Sequence, residues 1–99
     1  METGTNEIKD ITPEIAREMT QEAMDWDGIV QREINGSVPE KAKTGKRECR
    51  IVIGLPKGMT QFSATTLDII KTVFIRKGWA IKNFGVEPGL GALLVDIEW

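Results

Sequence analysis

The residues best suited to chemistry in this chain are basic side chains gathered in one short segment. Cations placed close together raise the local positive potential, and an arginine can donate paired hydrogen bonds to a phosphate group. The segment therefore predicts a site for a phosphate-bearing ligand, and the alternative is a solvated loop balanced by Glu40 and Glu48. Its basic residues are Lys41, Lys43, Lys46, Arg47 and Arg50.

Two aromatic residues lie close in sequence to further lysines and extend this candidate site. Trp79 follows Lys77 closely, and Phe84 comes shortly after Lys82. An aromatic ring beside a cation can stack a nucleobase, whereas the alternative role of these rings is packing in the core or at a sheet edge. The full set of predicted ligand-binding residues is Lys43, Lys46, Arg47, Arg50, Trp79, Lys82 and Phe84.

Catalysis has little support in the sequence. The chain has no histidine, which removes the commonest general base and the commonest metal ligand. Cys49 lies near two arginines, which favours a thiolate, but its place in an alternating apolar pattern predicts a buried strand residue. The glycine-rich segment 85–91 lacks the pattern of a phosphate-binding loop and predicts a hairpin turn. We therefore expect no catalytic residue, no metal site and no cofactor.

Length and charge narrow the class of protein further. The chain has 99 residues and a net charge of −2, which fits one core and gives no overall attraction to nucleic acid or to an anionic membrane. No apolar run is long enough to span a membrane, and the first residues lack the pattern of a signal peptide. A single cysteine fits a reducing compartment. These features predict a cytoplasmic protein without nucleic-acid or membrane partners.

Two helices are predicted from apolar spacing and capping residues. The first begins at the N-cap Thr12 and ends near Gly36, with a kink or an early end at Gly28 as the alternative. The second runs from a cap at Thr65 to Gly78, and it is apolar on so many sides that it requires cover by a sheet and by a neighbouring helix or a second copy. The predicted face of the first helix contains Ala16, Met19, Ala23, Trp26, Val30 and Ile34.

Three strands and their order complete the prediction. Residues 1–11 are expected to be loosely ordered, residues 36–48 to form a linker, and residues 12–99 to form one domain. Strands are predicted at 49–55, 79–86 and 92–98, the last two as a hairpin. The fold class is α+β in the order α-β-α-β-β, a three-stranded, mainly antiparallel sheet with two helices packed on one face. The third strand is expected at the centre, and the alternative places the second strand there.

The sheet face away from the helices is predicted to mix apolar and charged side chains. A small sheet with a half-apolar exposed face usually binds a partner, so we expect a homo-oligomer or a surface that binds another protein. The residues predicted on this face are Val52, Lys82, Phe84, Val86, Leu94, Asp96 and Glu98.

The order of several short motifs resembles the small uncharacterised accessory proteins of tailed bacteriophages. The chain begins its first helix with ITPEIARE, places GKRE before a strand, ends its second helix with RKGW and finishes with DIEW. These motifs are structural, and no functional residue follows from them. The resemblance implies a viral protein made in the cytoplasm of a bacterial host, where such proteins mostly bind and block or redirect a host component.

These observations lead to one hypothesis with two versions. The chain is expected to be a non-enzymatic phage accessory protein that either inhibits a host defence protein or binds a nucleotide signal as a sponge. An inhibitor would use apolar and acidic surface, whereas a sponge would use Arg47, Arg50, Lys82 and a stacking ring at Trp79 or Phe84. A structural component of the virion is the alternative, and a small enzyme is the third choice.

Overall fold

A computed structural model describes residues 10–99, which form three helices and three strands. The α+β class and the predicted sheet are confirmed, with one helix more than expected. Most of the segment predicted to be loosely ordered, residues 1–9, lies outside the described residues. The elements are α1 (Pro13–Glu22), α2 (Trp26–Lys43), β1 (Glu48–Gly54), α3 (Ala64–Arg76), β2 (Ala80–Glu87) and β3 (Ala92–Glu98).

The strands form an antiparallel sheet in the order β1-β3-β2, so the prediction of a central third strand is confirmed. Alternation along β1 and β3 sends every second residue into the core, as the apolar spacing predicted. Strand β3 lies between β1 and β2 and pairs with both of them, so the strand before α3 and the hairpin after it form one sheet. The buried strand residues are Cys49, Ile51, Ile53, Leu93, Val95 and Ile97.

The helices cover only one face of this sheet. Helix α2 packs against β1 and α3, and α3 packs against β2. Helix α1 packs against α3 and meets α2 at the junction of Gln21 and Trp26. Trp26, Val30 and Ile34 of α2 join Ile70 and Phe74 of α3 in one buried cluster with the strand residues. Within residues 10–99 no helix packs on the other side of the sheet, which we call the outer face.

The prediction of one continuous first helix is wrong, because the chain breaks it between α1 and α2. The Asp25 carboxylate caps α2 by accepting from the Gly28 amide at 3.1 Å. A Cβ atom at Gly28 would collide with that carboxylate, so this glycine permits the cap and does not kink a helix. Consequently the predicted apolar face divides: Trp26 is buried in α2, whereas Met19 in α1 is 57% exposed.

Helix α2 also extends beyond the predicted end near Gly36 and takes up most of the predicted linker. Pro39 lies inside the helix, where it removes one backbone donor that would otherwise bond to the Asn35 carbonyl. Asn35 is exposed, so water can reach that carbonyl, and Val38 packs against the core in the following turn. Partial burial of Val38 offsets part of the cost of the proline, and the extension brings Lys41 beside β1.

The ends of α3 follow local signals, with one shift. Ser63 rather than Thr65 is the N-cap, and its hydroxyl accepts from the Thr66 amide at 3.0 Å. At the other end Gly78 adopts a φ of 96°, and the Trp79 amide donates to the Phe74 carbonyl at 3.2 Å. This glycine stop is confirmed, because a positive φ at that point costs a glycine little.

A β-bulge at Lys82 changes which face of β2 its later residues occupy. Ile81 pairs with Ile97 and Asn83 pairs with Asp96, so Lys82 is an extra residue between them. After the bulge Phe84 pairs with Val95, which is a core residue. The prediction that Phe84 and Val86 lie on the outer face is therefore wrong, since the insertion of one residue reverses the alternation.

One buried polar side chain joins the end of α1 to the start of α3. Gln21 is 2% exposed, and its Nε2 donates to the Gln61 carbonyl at 3.1 Å. Its Oε1 accepts from the Ser63 amide at 2.7 Å, and its backbone carbonyl accepts from the Trp26 indole at 2.7 Å. Both ends of the amide and the adjacent carbonyl are therefore satisfied, which makes burial of this glutamine tolerable.

Replacing Gln21 with alanine should destabilise the chain by about 1–3 kcal/mol, because the Ser63 amide and the Gln61 carbonyl lose their partner in a partly buried place. Urea unfolding followed by circular dichroism measures the change. The matched control is Gln31→Ala, whose side chain makes an exposed bond to Asn35, and which should alter stability by less than about 0.5 kcal/mol. Equal effects of the two variants would contradict this role for Gln21.

Candidate functional site

The candidate site lies on the outer face, where charged side chains of all three strands meet. The register places Arg50 of β1 opposite Asp96 of β3, with Asn83 of β2 on the other side of Asp96. Arg50 donates to Asp96 through Nε at 2.8 Å and through a terminal nitrogen at 3.1 Å, a bidentate pair. The Asn83 side-chain amide donates to the same carboxylate at 3.2 Å. The Asp96 carboxylate therefore links side chains of all three strands.

A second ion pair crosses the outer face beside the first. Lys82, the bulge residue, donates to the Glu48 carboxylate at 2.6 Å, although β3 lies between their strands. The bulge makes this contact possible because it adds a side chain on the outer face next to Asn83. Both partners are largely exposed, so the pair orients its side chains more than it stabilises the fold.

These contacts shift the pKa values of the four charged groups. The hydrogen bond from Arg50 is the largest cause that lowers the pKa of Asp96, and burial partly opposes it. The hydrogen bond and charge of Lys82 lower the pKa of Glu48. In return, the pKa values of Arg50 and Lys82 are raised by the carboxylates they bind. All four groups are therefore held in their charged forms at neutral pH.

The ion pairs border a shallow depression that extends to the C-terminal end of α2. Lys41 at the end of α2 and Lys46 in the following loop contribute two more cations to it. The depression thus has four cations and two carboxylates, which gives it a net positive charge. It is lined by Lys41, Lys46, Glu48, Cys49, Arg50, Lys82, Asn83 and Asp96.

Three of the seven predicted ligand-binding residues meet in this depression, namely Lys46, Arg50 and Lys82. Lys43 lies on the last turn of α2 and does not line it. Arg47 is directed elsewhere, since its Nε donates to the Trp99 carbonyl at 2.9 Å. The predicted basic residues therefore lie in different places: Lys46, Arg50 and Lys82 line the depression, whereas Lys43 and Arg47 do not.

Neither predicted stacking ring lies beside these cations. Trp79 packs edge-to-face on Trp99, with ring centroids 5.8 Å apart, and is half-buried. Phe84 lies on the helix-covered face, where the ammonium of Lys71 is 5.8 Å from its ring centroid. Lys82 and Phe84 are close in sequence but occupy opposite faces, because the bulge separates them.

Sequence reasoning did not assign Glu48, Asn83 and Asp96 to the binding site, although all three line the depression. Asp96 was placed on the correct face, but its pairing with Arg50 required the register of β1 against β3. Asn83 could not be assigned to the outer face without knowledge of the bulge at Lys82. Lys41 was part of the basic segment predicted to hold phosphate but not of the full ligand-binding set, and the extension of α2 past Pro39 places it in the depression.

The apolar part of the outer face is small and lies next to the ion pairs. Val52 is 46% exposed, and Leu94, directly opposite it, is half-buried. The neighbours Gly85, which pairs with Leu94, and Gly54, two residues after Val52, have no side chains that could cover Val52 and Leu94. The outer face therefore presents a small apolar strip beside the two ion pairs.

Cys49 faces the core and has no arrangement for nucleophilic chemistry. Desolvation is the largest cause that raises the pKa of its thiol, and the charge of Lys41 only partly offsets it. Among residues 10–99, no group of three or more histidine, cysteine, aspartate or glutamate side chains is placed to hold a metal ion. The helices within residues 10–99 are too short or too polar to traverse a lipid bilayer.

Comparisons of the chain with protein-family models, with curated proteins and with solved structures find no match. The chemistry of the outer face must therefore be interpreted from its own geometry.

Stability should depend on the ionisation of Asp96 in acid. Because its pKa is lower in the folded chain than in the unfolded chain, ionised Asp96 stabilises the fold above the unfolded value of about 3.9, and this contribution is lost as the pH falls through the folded value. The stability advantage of the wild type over Asp96→Asn should be constant above about pH 5 and should decline as the pH falls further in urea titrations. In an Arg50→Gln background the decline should shrink. A difference that does not change with pH would contradict this assignment.

The thiol of Cys49 should react slowly with an aromatic disulfide reagent in the folded chain, because it is both buried and protonated. Unfolding in urea should raise the rate by at least about tenfold. Rapid, stoichiometric modification of the folded protein would contradict the buried placement and would restore a reactive role for this residue.

Proposed function

We propose that this chain is a non-enzymatic accessory protein that binds a protein partner through the outer face of its sheet. The observation that carries the proposal is the uncovered face itself, where Val52 and Leu94 lie beside side chains already fixed by Arg50–Asp96 and Lys82–Glu48. Side chains already held in ion pairs lose little entropy on binding, and an apolar strip with a polar rim suits a protein surface.

The phage origin and the host as the source of the partner rest on the resemblance of the motifs ITPEIARE, GKRE, RKGW and DIEW. On that basis the partner is a bacterial protein, and the outcome of binding is inhibition or redirection of its activity. The cytoplasm of the host is then the place of action. Self-association into a homo-oligomer stays a prediction from the mixed outer face.

A photo-crosslinking amino acid at Val52 tests the proposal in bacterial cells that express the chain. Val52 is on the outer face, so it should capture a specific bacterial protein that mass spectrometry can identify. The matched control is the same amino acid at Ile75, which is 58% exposed on α3 and far from the outer face. The charge-introducing variants Val52→Glu and Ile75→Glu should respectively reduce and preserve recovery of that protein.

Two results would contradict the proposal. Equal capture from Val52 and Ile75 would indicate non-specific contact, and absence of any capture from Val52 would leave the outer face without a partner. Large homogeneous assemblies in analytical ultracentrifugation, with capture of copies of the chain itself, would instead favour a structural component of the virion.

A nucleotide ligand is the second candidate, because the depression gathers Lys41, Lys46, Arg50 and Lys82. Two of these cations are paired with carboxylates, and no aromatic ring lies beside them, so phosphate contacts would supply most of the affinity. Native mass spectrometry of the protein purified from bacterial cytoplasm would detect such a ligand as extra mass. That mass should disappear in Lys41→Glu/Lys46→Glu and persist in Lys57→Glu/Arg76→Glu.

A further inference from the structure

The outer edge of β1, the side of the strand away from β3, has backbone groups that the described chain does not pair. The Trp99 amide donates to the Arg47 carbonyl at 3.0 Å, which identifies that pair as hydrogen-bonded. Hydrogen-bonded and non-bonded pairs alternate in an antiparallel ladder, so Cys49, Ile51 and Ile53 direct their N–H and C=O groups toward β3. The groups directed to the outer edge belong to Glu48, Arg50, Val52 and Gly54.

No backbone hydrogen bond within residues 10–99 occupies these outward groups. The hydrogen bond that reaches them in the described part of the chain is a long one, from the Cys49 thiol to the Arg50 carbonyl at 3.6 Å. The edge is regular for the whole length of β1, with no proline and no bulge. The opposite edge of the sheet differs, because the bulge at Lys82 interrupts β2 and protects it from strand pairing.

The charge beside this edge is positive although the chain as a whole is negative. The depression beside β1 has the cations of Lys41, Lys46, Arg50 and Lys82 against the carboxylates of Glu48 and Asp96, whereas the net charge of the chain is −2. Lys41 and Lys46 line the depression that includes Cys49 and Glu48 of β1. A strand that paired with β1 would therefore lie close to both lysines.

We propose that β1 binds an extended, acidic segment of the partner protein by adding it to the sheet as a fourth strand. The unpaired backbone groups select a polypeptide in extended conformation, since a nucleic acid has no matching row of donors and acceptors. The lysines select acidic side chains. A second copy of this chain fits less well, because it would bring the same cations to the interface. This inference rests on the proposed function and adds the chemistry and the conformation of the partner segment.

Selection of displayed random peptides of about ten residues against the full chain tests this inference. The selected peptides should be rich in aspartate and glutamate, and they should slow hydrogen exchange of the Arg50 and Val52 amides, measured by NMR. The matched pair Val52→Pro and Val52→Ala separates backbone from side chain, because both lose the valine side chain and only the first loses the outward N–H. Proline at this edge leaves the ladder to β3 intact.

Val52→Pro should weaken peptide binding by at least about tenfold relative to Val52→Ala. The double charge reversal Lys41→Glu/Lys46→Glu should weaken it by about tenfold or more at low salt, while Lys57→Glu/Arg76→Glu should leave it unchanged. If Val52→Pro does not fold, hydrogen exchange of the Arg50 and Val52 amides in the wild-type chain with bound peptide tests strand addition by itself.

Several results would overturn the inference. Selection of peptides that are not acidic would exclude the acidic partner segment. Unprotected Arg50 and Val52 amides, or equal binding by the proline and alanine variants, would exclude strand addition. Protection of the same amides in concentrated protein alone would indicate a second copy, and shifts caused by an oligonucleotide or inorganic phosphate without protection would indicate an anion site. Capture of a bacterial protein from Val52 without peptide binding at β1 would reject this inference alone, whereas peptide binding without capture would reject the proposed function.

Discussion

Packing of α2 and α3 against a single face of the sheet is the constraint from which the other features follow. Ile51, Val95, Ile97 and Phe74 are fully buried between these layers, and each such side chain contributes about 1.5–3 kcal/mol. The exposed ion pairs of the outer face contribute little by comparison. The fold is thus stabilised on one side of the sheet, and the other side is available for binding without loss of the core.

The position of α1 follows from a smaller set of polar contacts. Helix α1 packs against α3 and contributes no residue to the buried apolar cluster, so it lacks the apolar burial that holds α2 in place. Gln21 replaces that burial by bonding to the loop before α3, and the Trp26 indole fixes the turn into α2 through the Gln21 carbonyl. The junction therefore depends on hydrogen-bond geometry, which apolar spacing cannot reveal.

How far the sequence predicted the structure depends on whether a signal was local. The alternation of Cys49, Ile51 and Ile53, the stop at Gly78 and the hairpin all follow from short patterns, and each is confirmed. The break at Asp25 was hidden because an apolar spacing continues across it. Phe84 was assigned to the wrong face because a bulge appears only when β2 is aligned with β3. Of the site, the basic segment was predicted, whereas its carboxylate partners required strand register.

The extension of α2 past Pro39 links the fold to the chemistry of the site. A helix that ended near Gly36 would leave the following lysines on a solvated loop, where water and salt would screen their positive charge. Instead, α2 continues to Lys43 with Val38 packed against the core, and Lys41 lies beside the outer edge of β1. Unpaired backbone groups and unbalanced positive charge thus coincide at one place. That coincidence favours an extended acidic polypeptide over a nucleotide, because only a polypeptide satisfies both.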